Sequence, residues 1–160
     1  MASVHVPLDD VEDRRFWDAW DEAPTPLYYA AFVAQKPERC SAALRAIAHA
    51  APGGVVFHCG GGRDRTGLVA LLVLALAGAE HDAIVHDYEL SYERMRRYYS
   101  ARREPDQGPE LRRLLAGAGT SARSVLLDLL ATLDVETLVS DEEAAAIRRR
   151  LRPASPPSSP

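Results

Sequence analysis

The segment His58-Cys59-Gly60-Gly61-Gly62-Arg63-Asp64-Arg65-Thr66-Gly67 constrains this 160-residue chain more than any other. A short β-branched and aromatic run, Gly54-Val55-Val56-Phe57, precedes it, and a strongly apolar run, Leu68 to Ala77, follows. The pattern predicts a strand, a tight glycine loop and a buried helix, in that order. Such an order builds an anion cradle. The first N–H groups of the helix have no intrahelical acceptor, and the helix dipole adds partial positive charge at the same end. Consecutive glycines let the loop turn several N–H groups inward without side-chain clashes.

Cys59 sits at the base of that cradle. Oriented N–H groups and the Arg65 charge favour its thiolate, which is the nucleophilic form. Arg65 carries a planar fork that holds two phosphate oxygens at once and stays charged. Thr66 is placed to hydrogen-bond the sulfur and ease its departure. A nucleophile beneath an anion held by fixed donors is the arrangement that covalent phosphoryl transfer requires. A lone cysteine would read as a core residue and three glycines as a turn. The conjunction of His58, Cys59, Arg65, Thr66 and Gly67 points to chemistry instead.

These residues resemble the His-Cys-x5-Arg-Ser/Thr-Gly signature of the cysteine-based protein tyrosine phosphatase superfamily. The Asp64-Arg65-Thr66-Gly67 ending is similar to the bacterial tyrosine/serine phosphatases, some of which also act on phosphoinositides; that branch usually carries Lys where this chain has Arg63. Asp87-Tyr88-Glu89-Leu90-Ser91 resembles the branch's Asp-Tyr-x-Leu-Ser element, and the stretch from Leu133 to Arg152 resembles its closing helices. The resemblance implies an α/β fold, a small parallel sheet with a predominantly helical surround. It implies a phosphomonoester hydrolase that works through a phosphocysteine on Cys59, with Arg65, Asp64, Asp10 and Thr66 as further catalytic residues. His58, Gly60, Gly61, Gly62, Arg63 and Gly67 would bind substrate, with no metal and no other cofactor. The substrate would be a phosphorylated protein or a phosphoinositide. The alternative is a pseudophosphatase, a catalytically weak module that holds phosphate without turnover. Relatives carry a long preceding segment with an Asn-Phe-Arg-Asp-Leu-Gly-Gly-like element and an Asp-Leu-Arg strand, so the expectation is a domain lacking the family's N-terminal part.

Two carboxylates compete for the role of general acid, which protonates the leaving oxygen. Asp10 follows Val6-Pro7-Leu8-Asp9, similar to the strand-Pro-x-x-Asp acid loop of lipid and dual-specificity phosphatases. Asp64 lies in the loop itself, close to Cys59 by sequence, and is the preferred choice. The residues alone equally allow a solvated acidic turn at Asp9, Asp10 and Asp13, and an Arg65-orienting carboxylate at Asp64. His58 reads as a structural ligand of the loop backbone. His5, His49, His81 and His86 have no metal-site spacing.

The rest of the chain fits one domain over residues 1–152, followed by a disordered Pro/Ser tail at 153–160. Net charge is −4, which gives no footprint for nucleic acid. Two cysteines argue against a disulfide framework and for a reducing cytoplasm. The longest apolar run is too short to span a bilayer, so no stable membrane insertion is expected. Helices are predicted near Val11–Asp21, over Leu27–Ala34 beneath the loop, from Pro37 with a Cys40, Leu44, Ile47, Ala48 stripe, over Asp82 to about Arg103, around Leu126–Leu133, and from a capped start at Ser140 to near Leu151. Pro105 to Pro109 reads as a loop. Arg94, Arg96, Arg97, Arg102 and Arg103, interleaved with Tyr92, Tyr98 and Tyr99, read as a solvated face or an anion-facing surface. Only Val4–Val6 and Val55–Phe57 qualify as strands. So small a sheet leaves apolar surface uncovered, which predicts marginal stability and self-association.

Overall fold

The computed structural model describes residues 2–9, 12–20 and 25–152. Asp10 and the 153–160 tail therefore lie outside the described residues. Among the described residues eight α-helices are seen: α1 (Arg14–Ala19), α2 (Tyr29–Gln35), α3 (Pro37–Ala48), α4 (Asp64–Leu76), α5 (His81–Arg102), α6 (Gly108–Gly117), α7 (Ala122–Thr132) and α8 (Asp141–Leu151). Short 3-10 turns at Pro26–Tyr28 and Val135–Leu138 lead into α2 and towards α8.

The expected α/β architecture with a parallel sheet is wrong: no strand is present among the described residues. Val4–Val6 and Val55–Phe57 have no regular secondary structure, and Val4 and Val56 are 75% and 78% exposed. A strand exists only through hydrogen bonds to a neighbour. Two short runs, far apart in sequence and unpaired, give no ladder. Helices need no such partner, because their backbone bonds close within four residues.

α4 occupies the centre because its sequence is apolar all round. Leu68, Val69, Leu71, Leu72, Val73 and Leu76 are all buried. It packs against α3, α5, α8 and the Val135–Leu138 turn. α5 presents Ile84, Val85, Tyr88, Met95 and Tyr99 inward along one stripe, against α4, α7 and the start of α6. α3 begins at Pro37, which sits in the first turn, and buries Cys40, Leu44, Ile47 and Ala48. Cys40 is thus a core residue, and burial pushes its thiol up to about 12. The loop expected at Pro105–Pro109 ends early: α6 begins at Gly108 with Pro109 in its first turn, a position where a missing N–H costs nothing.

α8 fixes the approach to the glycine loop. Its start is a capping box in which Glu143 accepts the Ser140 N–H at 2.9 Å and the Ser140 hydroxyl accepts the Glu143 N–H at 3.3 Å. Its last turn carries Arg150, whose guanidinium donates to the carbonyls of Ala50, of Ala51 at 3.3 Å and of Gly53 at 3.3 Å. Arg148 donates from Nε to the Leu76 carbonyl at 2.8 Å, satisfying an acceptor left over at the end of α4.

Candidate active site

The motif splits at the helix start. Cys59 to Arg63 form the loop, while Asp64, Arg65, Thr66 and Gly67 make the first turn of α4. No side chain caps this helix, so its leading N–H groups stay available to the loop. Gly62 adopts φ +77, a left-handed conformation that a side chain would strain. This turn brings the Gly62 N–H to 3.1 Å from Cys59 Sγ. The Cys59 N–H in turn donates to Thr66 Oγ1 at 3.0 Å. Partial burial alone would raise the thiol pKa. Hydrogen bonds from the Thr66 hydroxyl and from the Thr66 and Gly62 N–H groups, with the Arg65 charge, outweigh it and hold the thiol below its ordinary value.

Arg65 lies over this loop, its Nη2 only 3.7 Å from where a Cβ on Gly60 would sit. Its Nη1 is 3.1 Å from the Asp9 carboxylate, an ion pair that sequence reasoning did not foresee. Asp9 comes from the Pro7-Leu8-Asp9 segment, which the buried Leu8 anchors to the core.

Arg63 behaves differently. Its side chain is 5% exposed, with Nη2 at 3.2 Å and Nε at 3.2 Å from Asp64 Oδ2. Desolvation raises the Asp64 carboxyl above its ordinary value, although Arg63 pulls it down. Tyr29, fully buried, donates its hydroxyl to the Asp64 carbonyl at 2.5 Å. The start of α2 therefore lies against the first turn of α4. Gly67 is closed off from the cradle: a Cβ there would come within 2.9 Å of the Tyr88 ring and 3.1 Å of the Tyr29 hydroxyl. Tyr88 belongs to the Asp87–Ser91 element, so that element serves to pack α5 against the first turn of α4. Farther along α5, the Met95 terminal methyl lies 3.7 Å from a Cβ position on Gly61. His58 is exposed, and its Nδ1 donates to the Cys59 carbonyl at 3.1 Å, a local backbone contact of the expected kind.

The tyrosine phosphatase family profile matches residues 5–151. This chain belongs to the tyrosine phosphatase family. A Nostoc commune protein named tyrosine-protein phosphatase is 38% identical over 63 residues, covering 39% of this chain and 21% of that protein. A Cupriavidus necator protein named "Putative tyrosine-protein phosphatase H16_A0669" is 38% identical over 78 residues, covering 45% of this chain and 29% of its own length. These matches span less than a third of either relative. No solved structure matches the chain. Among the described residues, no single helix is long and apolar enough to cross a membrane.

Within the tyrosine phosphatase family's loop, sequence reasoning identified Cys59, the glycines, Arg65 and Thr66, and these converge. It did not anticipate the inward turn of Arg63 or the packing role of Gly67. The spacing carried a signal for both. That signal is positional only: Arg63 is the residue before α4, whereas Arg65 and Gly67 lie in its first turn.

Proposed function

We propose that the chain hydrolyses phosphomonoesters through a phosphocysteine on Cys59. The observation that carries this reading is the Cys59 sulfur held 3.1 Å from the Gly62 nitrogen, in a loop that the Arg65 guanidinium borders at Gly60. The thiolate attacks phosphorus, the S–P bond forms, and the ester P–O bond breaks. Asp64, whose carboxyl pKa is raised above its ordinary value by burial, gives its proton to the leaving oxygen. Its carboxylate then takes a proton from water, which attacks phosphorus and releases phosphate and the Cys59 thiolate. Arg65 and the loop N–H groups carry the charge that grows on the transferring phosphoryl group, and Thr66 supports the departing sulfur.

The names of the relatives favour phosphotyrosine in proteins as substrate. Phosphoserine and phosphoinositides are the neighbouring candidates, and a substrate panel ranks the three. Two free thiols support a reducing, cytoplasmic setting for this chemistry. The exposed Val55, Val56 and Phe57 support self-association.

Hydrolysis of p-nitrophenyl phosphate, with inhibition by vanadate, tests the reading. Cys59→Ser should abolish turnover yet keep phosphate binding within about tenfold, because the loop N–H groups and Arg65 remain. Steady-state turnover by Cys59→Ser rules out the covalent route. Phosphate binding without any turnover by the native sequence would establish the pseudophosphatase instead.

A further inference from the structure

Arg65 has to hold one position to serve the loop, and burial does not impose it. Its side chain is 44% exposed and reaches from the first turn of α4 to the edge of the loop at Gly60. A long side chain in solvent spreads over many rotamers, and ordering it on a ligand costs affinity. An ion pair opposes that freedom: Arg65 Nη1 lies 3.1 Å from Asp9 Oδ2.

Asp9 is itself held, and by parts of the protein other than the loop. Leu8, its neighbour, is 6% exposed within the hydrophobic core. From α3, Arg39 donates Nη1 to the carbonyls of Pro7 at 3.2 Å and Asp9 at 3.1 Å. The carboxylate is thus presented to Arg65 from an anchored backbone. The pair engages Nη1, while Nη2 stands 3.7 Å from where a Cβ on Gly60 would sit, against the loop. Nε and Nη2 make up an edge of the guanidinium that can donate to two phosphate oxygens at once.

We propose that Asp9 is a positioning residue, which holds Arg65 by Nη1 so that its Nε–Nη2 edge faces the Cys59 loop before a phosphate arrives. The inference rests on the reading of the loop as a phosphate cradle. Asp9 acts through Arg65 and not on the substrate. An ion pair of this exposure supplies little to folding. Its effect is preorganisation: a donor edge already in place needs no ordering when the phosphoryl group reaches it. Replacing Asp9 frees no donor on that edge, because Nη1 is not part of it. The sign of the effect follows, and loss of Asp9 weakens the hold of Arg65 on an anion beside the sulfur.

Alkylation of Cys59 in the full chain tests this without turnover, by comparing anionic iodoacetate with neutral iodoacetamide. Both reagents react with the same thiolate, so the ratio of their rates cancels changes in thiol pKa and reports how well a cation is placed near the sulfur. Mass spectrometry separates Cys59 from Cys40. The ratio should fall about three- to tenfold in Asp9→Asn and Asp9→Ala, the loss expected when one long side chain must be ordered anew. Arg65→Ala should also lower the ratio, and adding Asp9→Asn to it should lower it no further. A ratio in Asp9→Asn equal to or above that of the native sequence overturns the proposal. So does an equal fall on the Arg65→Ala background, which would make Asp9 a support of the fold and not of the arginine. A ratio in Arg65→Ala equal to the native one overturns the cradle reading and this inference with it.

Discussion

Arg63 and Arg65 leave the start of α4 on opposite sides and meet different carboxylates. Arg63 turns into the protein against Asp64, while Arg65 stays at the surface against Asp9. Asp64 thus carries two duties, neutralising a buried guanidinium and, in the proposed mechanism, donating a proton. The duties separate experimentally. Asp64→Asn should slow alkyl phosphates far more than p-nitrophenyl phosphate, whose leaving group barely needs a proton. Because the carboxyl pKa is raised, native activity falls on the alkaline side as the proton is lost, and the asparagine variant should lack that limb. The same variant takes the Asp64 carboxylate away from the buried Arg63 guanidinium, so its stability should fall in urea unfolding. A drop in stability with an unchanged pH–rate profile would leave Asp64 a structural partner only. The glycines divide in a similar way. Gly62→Ala strains a φ of +77 and withdraws an N–H from the sulfur, so the thiol pKa should rise, read from the pH dependence of iodoacetamide alkylation. Gly67→Ala forces a methyl into the Tyr88 ring and should cost about 1–3 kcal/mol with little change in that alkylation profile.

Helix ends show how far element-level patterns can be read. The Ser140 capping box, the Pro37 start and the span of α5 were legible, because each is a local rule satisfied within a few residues. α6 was missed: Gly108 and Pro109 read as loop residues, although Pro fits a first helical turn and Leu111 and Leu115 then share a buried face. α5 ends with Arg103 at φ 58, where the Glu104 N–H reaches back to the Tyr99 carbonyl at 3.0 Å. That left-handed position suits glycine. Arg103→Gly should therefore raise stability by about 1 kcal/mol, measured by urea unfolding. In α8, the Ser140 N–H and His49 hold the Glu143 carboxyl down at about 2, against an ordinary 4.5. A carboxylate with a depressed folded pKa stabilises fully above its unfolded value and progressively less as pH falls towards the folded one. Glu143→Gln should accordingly flatten the fall in melting temperature between about pH 4.5 and pH 2, and a native-like slope would show that the box does not govern acid stability.

At the scale of the whole molecule, the outcome turned on what has neighbours. Residues 58–67 were legible as a site because their chemistry depends on a local turn and one helix start. The sheet was misjudged because pairing is non-local. Val55-Val56-Phe57 has strand-like composition, but β-propensity reflects fit to adjacent strands, and the run pairs with no strand among the described residues. The apolar side chains that a sheet would have covered remain in solvent: Val4 is 75% exposed, Val56 is 78%, and Val55 and Phe57 are each 36%. The last three lie immediately before His58 and Cys59, so whatever covers them also bears on the approach to the loop. A partly exposed apolar run of this kind can serve as a contact for another chain. The chain should therefore associate as its concentration rises, seen as growing mass in size-exclusion chromatography with light scattering. Val56→Lys places a charge at the most exposed position of the run and should return the protein to a monomer. Its melting temperature at low concentration should stay unchanged, because a side chain with this exposure contributes almost nothing to the core. Should the native chain stay monomeric throughout, or should Val56→Lys associate equally, the run is not the contact, and its apolar residues are inert surface.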